Sequence, residues 1–454
     1  MDNKSDSKMD NKSDENPMMS EQEKHDAFHS VKLDTDKCEG CTHCLRHCPT
    51  MAIRVQGGKA RIQSERCIDC GECIRVCPHH AKKAVYDRLS DFEGRFKWQV
   101  AIPAPSLYGQ FSKVDDIDVI LTALTKIGFD DVFEVARAAE IISDFTRRLI
   151  SSRDLPKPII NSACPAIVKL IRIRFPSLCD NLLTVAAPID IAATMARAEA
   201  VKKTGLAPEE IGIFFISPCP AKVTESKAPS SFIKKDVDGL IAMSEIYIPM
   251  LVEIKMIKEP LRLAKAGIMG IGWASSGGEA AALLRERYLA ADGITHCIKI
   301  LDEIENEKLT EIDFVELNAC TPGCIGGALT VENPFVAKAR MQNLRKFMPV
   351  SMNTYSEDDE SLKNILLETR YTPSNVMQLS PDINTAMRML KEIDAQVKRF
   401  PGIDCGACGA PSCRALAEDI ALGKAKESDC TFVLREMMAG MFRAFSDITP
   451  PEGL

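Results

Sequence analysis

Two runs of cysteine repeat one spacing: Cys38-x2-Cys41-x2-Cys44-x3-Cys48-Pro49 and Cys67-x2-Cys70-x2-Cys73-x3-Cys77-Pro78. Thiols at this density leave little room for an apolar core, so what they bind must organise the stretch. Thiolates are soft ligands that suit iron–sulfur clusters. In runs of this pattern the fourth cysteine ligates the other cluster. One 4Fe–4S cluster is therefore assigned to Cys38, Cys41, Cys44 and Cys77, and a second to Cys67, Cys70, Cys73 and Cys48. Zinc is the alternative, but zinc sites rarely repeat a 2-2-3 spacing followed by proline. His43, His47, His79 and His80 lie nearby and read as surface residues, because each cluster already has four thiolates.

The chain has 18 cysteines, a formal net charge of −7 and 45% hydrophobic residues in 454. That length suits two or three domains, and the negative charge argues against nucleic acid as a main partner. Clustered cysteines without an apolar leader or an 18-residue apolar run read as metal ligands rather than disulfides. The expectation is a cytoplasmic protein with no membrane span.

A second cysteine set comes from distant segments. Val315-Glu-Leu-Asn-Ala-Cys320-Thr-Pro-Gly-Cys324-Ile-Gly-Gly327 brings two, Asn161-Ser-Ala-Cys164-Pro165 one, and Ser217-Pro-Cys219-Pro-Ala-Lys222 one. Four cysteines arriving in this way are the right count for a 4Fe–4S cubane. A close pair alone could equally be a redox or zinc element. The glycines let backbone approach something bulky. A third set, Cys405-Gly-Ala-Cys408-x4-Cys413-x16-Cys430, implies a further 4Fe–4S cluster. Zinc stays open there, and Asp404 and Asp429 flank the ligands. Cys179 and Cys297 are left over and read as small buried hydrophobes.

Between these sets the texture is α/β. Strands are predicted at 97–102, 131–135, 158–160 and 211–216, and a helix over 116–127. The apolar runs at 158–160 and 211–216 lead straight into cysteine motifs, which places the ligands on loops at strand ends, where open α/β sheets put their sites. Residues 1–30 are polar, with Asp2-Asn-Lys-Ser-Asp6 repeated as Asp10-Asn-Lys-Ser-Asp14, and are expected to be a disordered tail. The remaining divisions are 31–86, 95–350, a connector over 351–396 that is helical from Asp382, and 397–450 with a helix over 415–425.

The paired runs resemble bacterial two-cluster ferredoxins. The segments around Cys164, Cys219 and Cys320–Cys324 look like the three signature motifs of the H-cluster domain of FeFe (iron-only) hydrogenases, in the same order and over about 100–349. The last set resembles a small mainly helical 4Fe–4S domain attached to some hydrogenases of the sensory type. The resemblance implies an α/β H-cluster domain with an α+β ferredoxin-like domain before it and the small cluster domain after it. It further implies that Cys164, Cys219, Cys320 and Cys324 hold a cubane, and that Cys324 bridges to a di-iron subcluster carrying CO, cyanide and azadithiolate. Lys222 matches the lysine that donates to a cyanide ligand. Ala104, Pro105 and Ser106 match a segment lining the di-iron site. Asp236–Glu245 and Gly272–Glu279 also resemble stretches of that domain.

Departures from the family pattern matter as much. Where the family has the cysteine that relays protons to the dithiolate amine, this chain has Ala163, whose methyl group can neither donate nor accept a proton. Ser217 stands where a methionine precedes Pro-Cys, and Asn318 where one precedes Ala-Cys; with Lys222 and Ala163 they are the candidate catalytic positions the resemblance implies. The region 142–146, aligned with the relay glutamate, offers no clear acid. Gly327 is followed by Ala328 and Leu329 instead of further glycine. A lost relay costs general acid–base assistance of ~10²–10⁴-fold. The expectation is a low-turnover FeFe hydrogenase interconverting H2 with protons and electrons in hydrogen sensing. Its implied partners are H2, protons, ferredoxin or another redox protein, and maturation proteins. A separate signalling protein is also implied because the chain stops at Leu454; a homodimer stays open. The alternatives are an ordinary ferredoxin-linked hydrogenase with an altered proton path, a hydrogenase-like iron–sulfur assembly factor, or an electron-transfer protein with a dead site.

Overall fold

Apolar runs that end in cysteine motifs become short parallel strands. The computed structural model describes residues 28–229 and 236–446. The repeated Asp-Asn-Lys-Ser-Asp segment lies outside the described residues. His29 and Ser30, expected in the tail, are instead buried at 5% and 0% exposure. The Ser30 amide donates to Asp69 Oδ1 and Thr224 Oγ1, both at 3.0 Å, and its hydroxyl donates to the Pro220 carbonyl at 2.8 Å.

The first module has two antiparallel pairs. β1 (Val31–Leu33) lies beside β4 (Lys82–Ala84), and β2 (Ile53–Gln56) beside β3 (Lys59–Ile62). Its cysteine runs wrap around the two short helices His43–Arg46 and Glu72–Arg75.

Two parallel sheets follow. One has β5 (Trp98–Pro103), β6 (Asp131–Val132), β8 (Ile211–Ser217) and β9 (Gly239–Ala242) in the order β6-β5-β8-β9. The other has β7 (Ile159–Ile160), β10 (Tyr288–Asp292) and β11 (Phe314–Asn318) in the order β10-β11-β7. Buried parallel strands carry near-continuous apolar runs, and all seven residues of β8 are buried. The helix expected over 116–127 spans Ile117–Lys126, with the Asp116 side chain accepting the Asp118 amide as N-cap. The strand expected over 131–135 is only two residues long, because Val135 already begins the helix Val135–Ser152.

The main core is built from both faces of the four-stranded sheet. The stretch expected as a connector contributes to it: Leu362, Ile365 and Leu367 are buried there. The Ala186 amide donates to the Ile365 carbonyl at 2.8 Å and the Leu367 amide to that of Thr184 at 3.0 Å. The helix expected from Asp382 is Ile383–Arg399, capped by Asp382 accepting the Thr385 amide. In the last segment the expected 415–425 helix is Cys413–Ala421. Among the described residues no helix is long and apolar enough to cross a membrane.

Candidate metal centre

Parallel strands deliver four cysteines to one place. After β7 the chain reaches Cys164, which caps the helix Pro165–Arg174. After β8 it reaches Cys219, which caps the helix Pro220–Lys227. After β11 it reaches Cys320, and Cys324 opens a 3-10 turn at Cys324–Gly326. Pro165 and Pro220 hold the first helical position, where a missing N–H removes no hydrogen bond. Gly323 has φ +100°, and a Cβ there would lie 2.5 Å from the Ser276 amide nitrogen, so the turn between the last two cysteines needs glycine.

All four cysteines line one cavity of about 970 Å³, its open mouth included, together with Ala104, Pro105, Ser106, Ala163, Lys222 and Asn318. Burial holds the Cys164, Cys219 and Cys324 thiols above the usual range, and neighbouring sulfurs add to the effect; Cys219 is pushed up to about 12 by burial, then by Cys320 and Cys164. Lys222 acts in the opposite sense on Cys164, Cys219 and Cys324. Metal binding here must displace protons from the thiols.

The other sulfurs are gathered in the same fours that spacing suggests. Cys38, Cys41, Cys44 and Cys77 line one small cavity; Cys48, Cys67, Cys70 and Cys73 a second; Cys405, Cys408, Cys413 and Cys430 a third. A single tetrahedral zinc with Zn–S bonds near 2.3 Å holds its sulfurs about 3.8 Å apart. Among the described residues, the only set of three or more His, Cys, Asp or Glu ligand atoms within 4.8 Å of one another is His29, Cys67 and Asp69. The cysteine quartets are thus spread wider than one zinc ion allows and suit a cluster. The Asp404 carboxylate accepts the Cys413 amide at 2.6 Å. Of the four histidines, His43, His47 and His80 are exposed and His79 is half-buried.

Two of the single-residue departures have a clear place. Ser217, expected among the catalytic residues, is fully buried, and its hydroxyl closes on the Cys219 backbone. It accepts the amide at 3.1 Å and donates to the carbonyl at 3.0 Å. It shapes the ligand loop and does not line the cavity. Asn318 does line it, and its side-chain amide donates to Glu316 Oε1 at 2.7 Å.

Two acids in the cavity wall escaped the sequence reading: Glu279 and Glu316, 6% and 1% exposed. Glu316 accepts the Gly277 amide at 2.9 Å and the Ala280 amide at 2.8 Å as well as Asn318. Glu279 accepts Asn161 Nδ2 at 2.8 Å. Burial, then the Glu316 charge, pushes the Glu279 carboxyl up to about 8. Burial raises Glu316 too, but its amide donors favour the ionised form. Burial thus favours the protonated form of both acids, and Glu279, raised to about 8, holds a proton at neutral pH. A charged residue inside the buried run Phe314–Asn318 was the available signal, since Glu is almost never fully buried without partners. In the helix Val135–Ser152, Glu140 accepts the Gly267, Met352 and Asn353 amides and Asp144 pairs with Arg147 and Arg148. Neither lines the cavity.

Cys179 and Cys297 are buried at 5% and 0% exposure. The Cys297 thiol lies 3.3 Å from the Asn318 carbonyl, directly behind the loop that carries Cys320.

Three cysteine quartets around small voids and a fourth in a large cavity at parallel-strand ends define an iron–sulfur redox protein. The family model "Iron only hydrogenase large subunit, C-terminal domain" matches residues 97–290 and 279–328. A 4Fe–4S dicluster domain matches residues 30–78 and an Fe–S cluster family residues 400–432. The chain belongs to the iron-only hydrogenase large subunit family, and 4Fe–4S clusters and H-cluster iron are the cofactors these matches support.

The periplasmic Fe hydrogenase large subunit of Nitratidesulfovibrio vulgaris is 32% identical over 244 residues, covering 49% of this chain and 57% of that protein. Iron hydrogenase 1 of Clostridium pasteurianum is 28% identical over 151 residues, covering 32% of this chain and 25% of that one. The matched regions thus span little more than half of the relatives' lengths at most. A solved structure of a FeFe-hydrogenase HydA1 variant from Chlamydomonas reinhardtii has 17% identity and a TM-score of 0.41, covering 60% of this chain and 94% of that one.

Proposed function

We propose that the chain is a FeFe hydrogenase of low turnover that interconverts H2 with protons and electrons and serves in hydrogen sensing. One observation carries this reading: Cys164, Cys219, Cys320, Cys324, Lys222, Ala163 and two buried acids line one cavity, and by resemblance Ala163 stands where the family has its relay cysteine. The four cysteines would hold a 4Fe–4S cubane, with Cys324 shared with a di-iron subcluster carrying CO, cyanide and azadithiolate. When bound, that subcluster supplies the iron site at which H2 is made or split. Lys222 would donate a charge-assisted hydrogen bond to an anionic ligand from one wall. Backbone of Ala104, Pro105 and Ser106 forms another.

Glu279 holds a proton at its carboxyl in the cavity wall, beside the Glu316 charge. Ala163 offers no proton-carrying atom where the family relay would stand, and the acid pair replaces that relay only in part. Electrons reach the site through Cys70, which lines both this cavity and the second cysteine quartet of the N-terminal module. On this reading residues 31–86, 95–350 and 397–450 act as three cluster-bearing modules. The cubane-only clusters would exchange electrons with ferredoxin or another redox protein, dedicated maturation proteins would insert the di-iron part, and a separate signalling protein would read the state.

Infrared spectroscopy of matured protein under H2 tests this. CO and cyanide stretching bands that respond to H2 are expected. Their absence after maturation points to an assembly factor or an electron-transfer protein. Replacing Ala163→Cys is expected to raise H2 evolution by at least tenfold, since one positioned acid–base group contributes ~10²–10⁴-fold. No rise would mean that Ala163 does not limit turnover. A parent turnover of ~10 s⁻¹ or more, typical of enzymes, would favour an ordinary hydrogenase over a sensor.

A further inference from the structure

The N-terminal module touches the cubane cysteines through a cation. The helix Glu72–Arg75 carries Cys73 and ends at Arg75. One guanidinium nitrogen of Arg75, Nη2, lies 2.9 Å from Cys320 Sγ and donates to the Gly326 carbonyl at 2.9 Å. The other terminal nitrogen, Nη1, is 3.0 Å from Glu72 Oε2. The side chain keeps 28% of its surface exposed, so the contact is partly shielded from water. Backbone around it fixes the approach. Gly71, beside Cys70, has φ +76°, and a Cβ there would sit 2.5 Å from that of Ala328 and 3.3 Å from the Pro220 ring. Elsewhere in the quartet the sulfurs meet backbone amides, those of Ala319 and Ile167 at Cys164 and that of Lys222 at Cys219.

We propose that Arg75 sets the reduction potential of the cluster held by Cys164, Cys219, Cys320 and Cys324, and thereby ties that potential to the seating of the N-terminal module. The inference rests on the four-cysteine cubane of the preceding section and not on its hydrogen chemistry. Reduction adds one electron, hence one unit of negative charge, to the cluster and its thiolates; the donor is a reduced 4Fe–4S cluster of the N-terminal module. A guanidinium bonded to one of those thiolates stabilises the reduced form more than the oxidised form, so it raises the potential. Arginine keeps its charge at every working pH. Glu72 opposes it, because its carboxylate partly neutralises the same guanidinium. The helix that carries a ligand of one cluster therefore also carries the charge that poises the next.

The test uses full-length protein produced without maturation proteins, so that only cubanes are present. Reductive titration against an electrode with low-potential mediators is followed by electron paramagnetic resonance. The relevant signal is the one that Cys320→Ala removes. Arg75→Gln is expected to keep the iron content and lower the ratio of reduced to oxidised cluster at fixed potential about tenfold, a downward shift of about 59 mV for a one-electron couple. Arg75→Lys should recover part of that shift. Glu72→Gln should move the midpoint upward. An unchanged midpoint in Arg75→Gln with iron retained overturns the proposal. So does a downward shift in Glu72→Gln, which would mean that the contact acts only by holding the module in place. If no signal depends on Cys320, the cubane assignment fails and the inference fails with it. Missing CO and cyanide bands in matured protein would leave this titration unaffected.

Discussion

Glu279 and Glu316 share one buried wall, where the Glu316 charge disfavours ionisation of Glu279. Three amide donors favour the carboxylate form of Glu316 against its burial, while Glu279 has the Asn161 amide. A carboxyl raised to about 8 is protonated at neutral pH and loses its proton as the pH rises through that value. Two consequences follow with one sign. H2 evolution, which draws on the protonated acid, should fall above pH ~8, and Glu279→Gln should cost turnover by about 10²-fold or more while iron content stays constant. Stability should fall as well, because between the unfolded pKa of about 4.3 and the folded one the native state binds the extra proton. Denaturant unfolding at several pH values checks this: the downward slope over that window should flatten in Glu279→Gln.

The residue scale is also where the sequence was hardest to read. The cysteines announce themselves because thiol spacing is dictated by cluster geometry. The acids do not, because a carboxylate is the commonest surface group. Within 142–146, the stretch aligned with the family's relay glutamate, the one acid is Asp144, and it is bound to Arg147 and Arg148. Glu316 stood inside the stretch that carries Cys320 and went unremarked. Ser217 looked like a site residue by position, yet its hydroxyl belongs to the Cys219 backbone.

At the scale of elements, strand runs and helix caps were legible where one physical signal dominated. Ile211–Ser217 is wholly apolar until its last residue, and Asp116 and Asp382 cap helices with their side chains. The predicted strand over 131–135 failed beyond Val132 because the helix begins at Val135. The segment expected as a connector also fills the main core: the short apolar run Ile365-Leu366-Leu367, with Leu362 before it, was the available signal, set among the polar residues around it. The join between the first module and the cavity is likewise an element-scale fact. Gly71 is needed there both for its positive φ and because a Cβ would strike Ala328 and crowd Pro220. Gly71→Ala is expected to cost about 1–3 kcal/mol from strain and overpacking, seen as a lowered unfolding midpoint at unchanged iron content. Gly57→Ala is the control: it shares the positive φ, but nothing lies near its Cβ position. A larger loss at 71 than at 57 isolates the interface.

At the scale of the whole molecule, the C-terminal cysteine quartet is docked on the first module. Arg54 and Asp419 form a buried pair, with Nε to Oδ2 at 2.5 Å and Nη2 to Oδ1 at 3.1 Å. The Val55 amide donates to the Gly409 carbonyl at 2.9 Å, and Arg46 Nη2 donates to the Cys405 carbonyl at 2.9 Å. Val55 also lines the cavity of Cys38, Cys41, Cys44 and Cys77. The quartets thus follow one another: the C-terminal set against the first, the first beside the second, and the second sharing Cys70 with the large cavity. On the proposed function, such an order would make the C-terminal quartet the far end of one electron route. Breaking the dock should therefore separate stability from chemistry. Arg54→Ala leaves Asp419 buried without its partner, which costs about 3–5 kcal/mol, whereas an apolar pair such as Arg54→Met with Asp419→Leu should recover most of it. Thermal unfolding and limited proteolysis of the single and double variants measure that coupling. In Arg54→Ala, reduction of the large-cavity site by an electron donor bound at the C-terminal module should slow. Reduction by a small diffusible donor should keep its rate, because that donor can reach the other quartets directly. Unchanged rates with both donors would mean that the C-terminal quartet lies off the route, and equal slowing with both would mean that the substitution damages the other quartets.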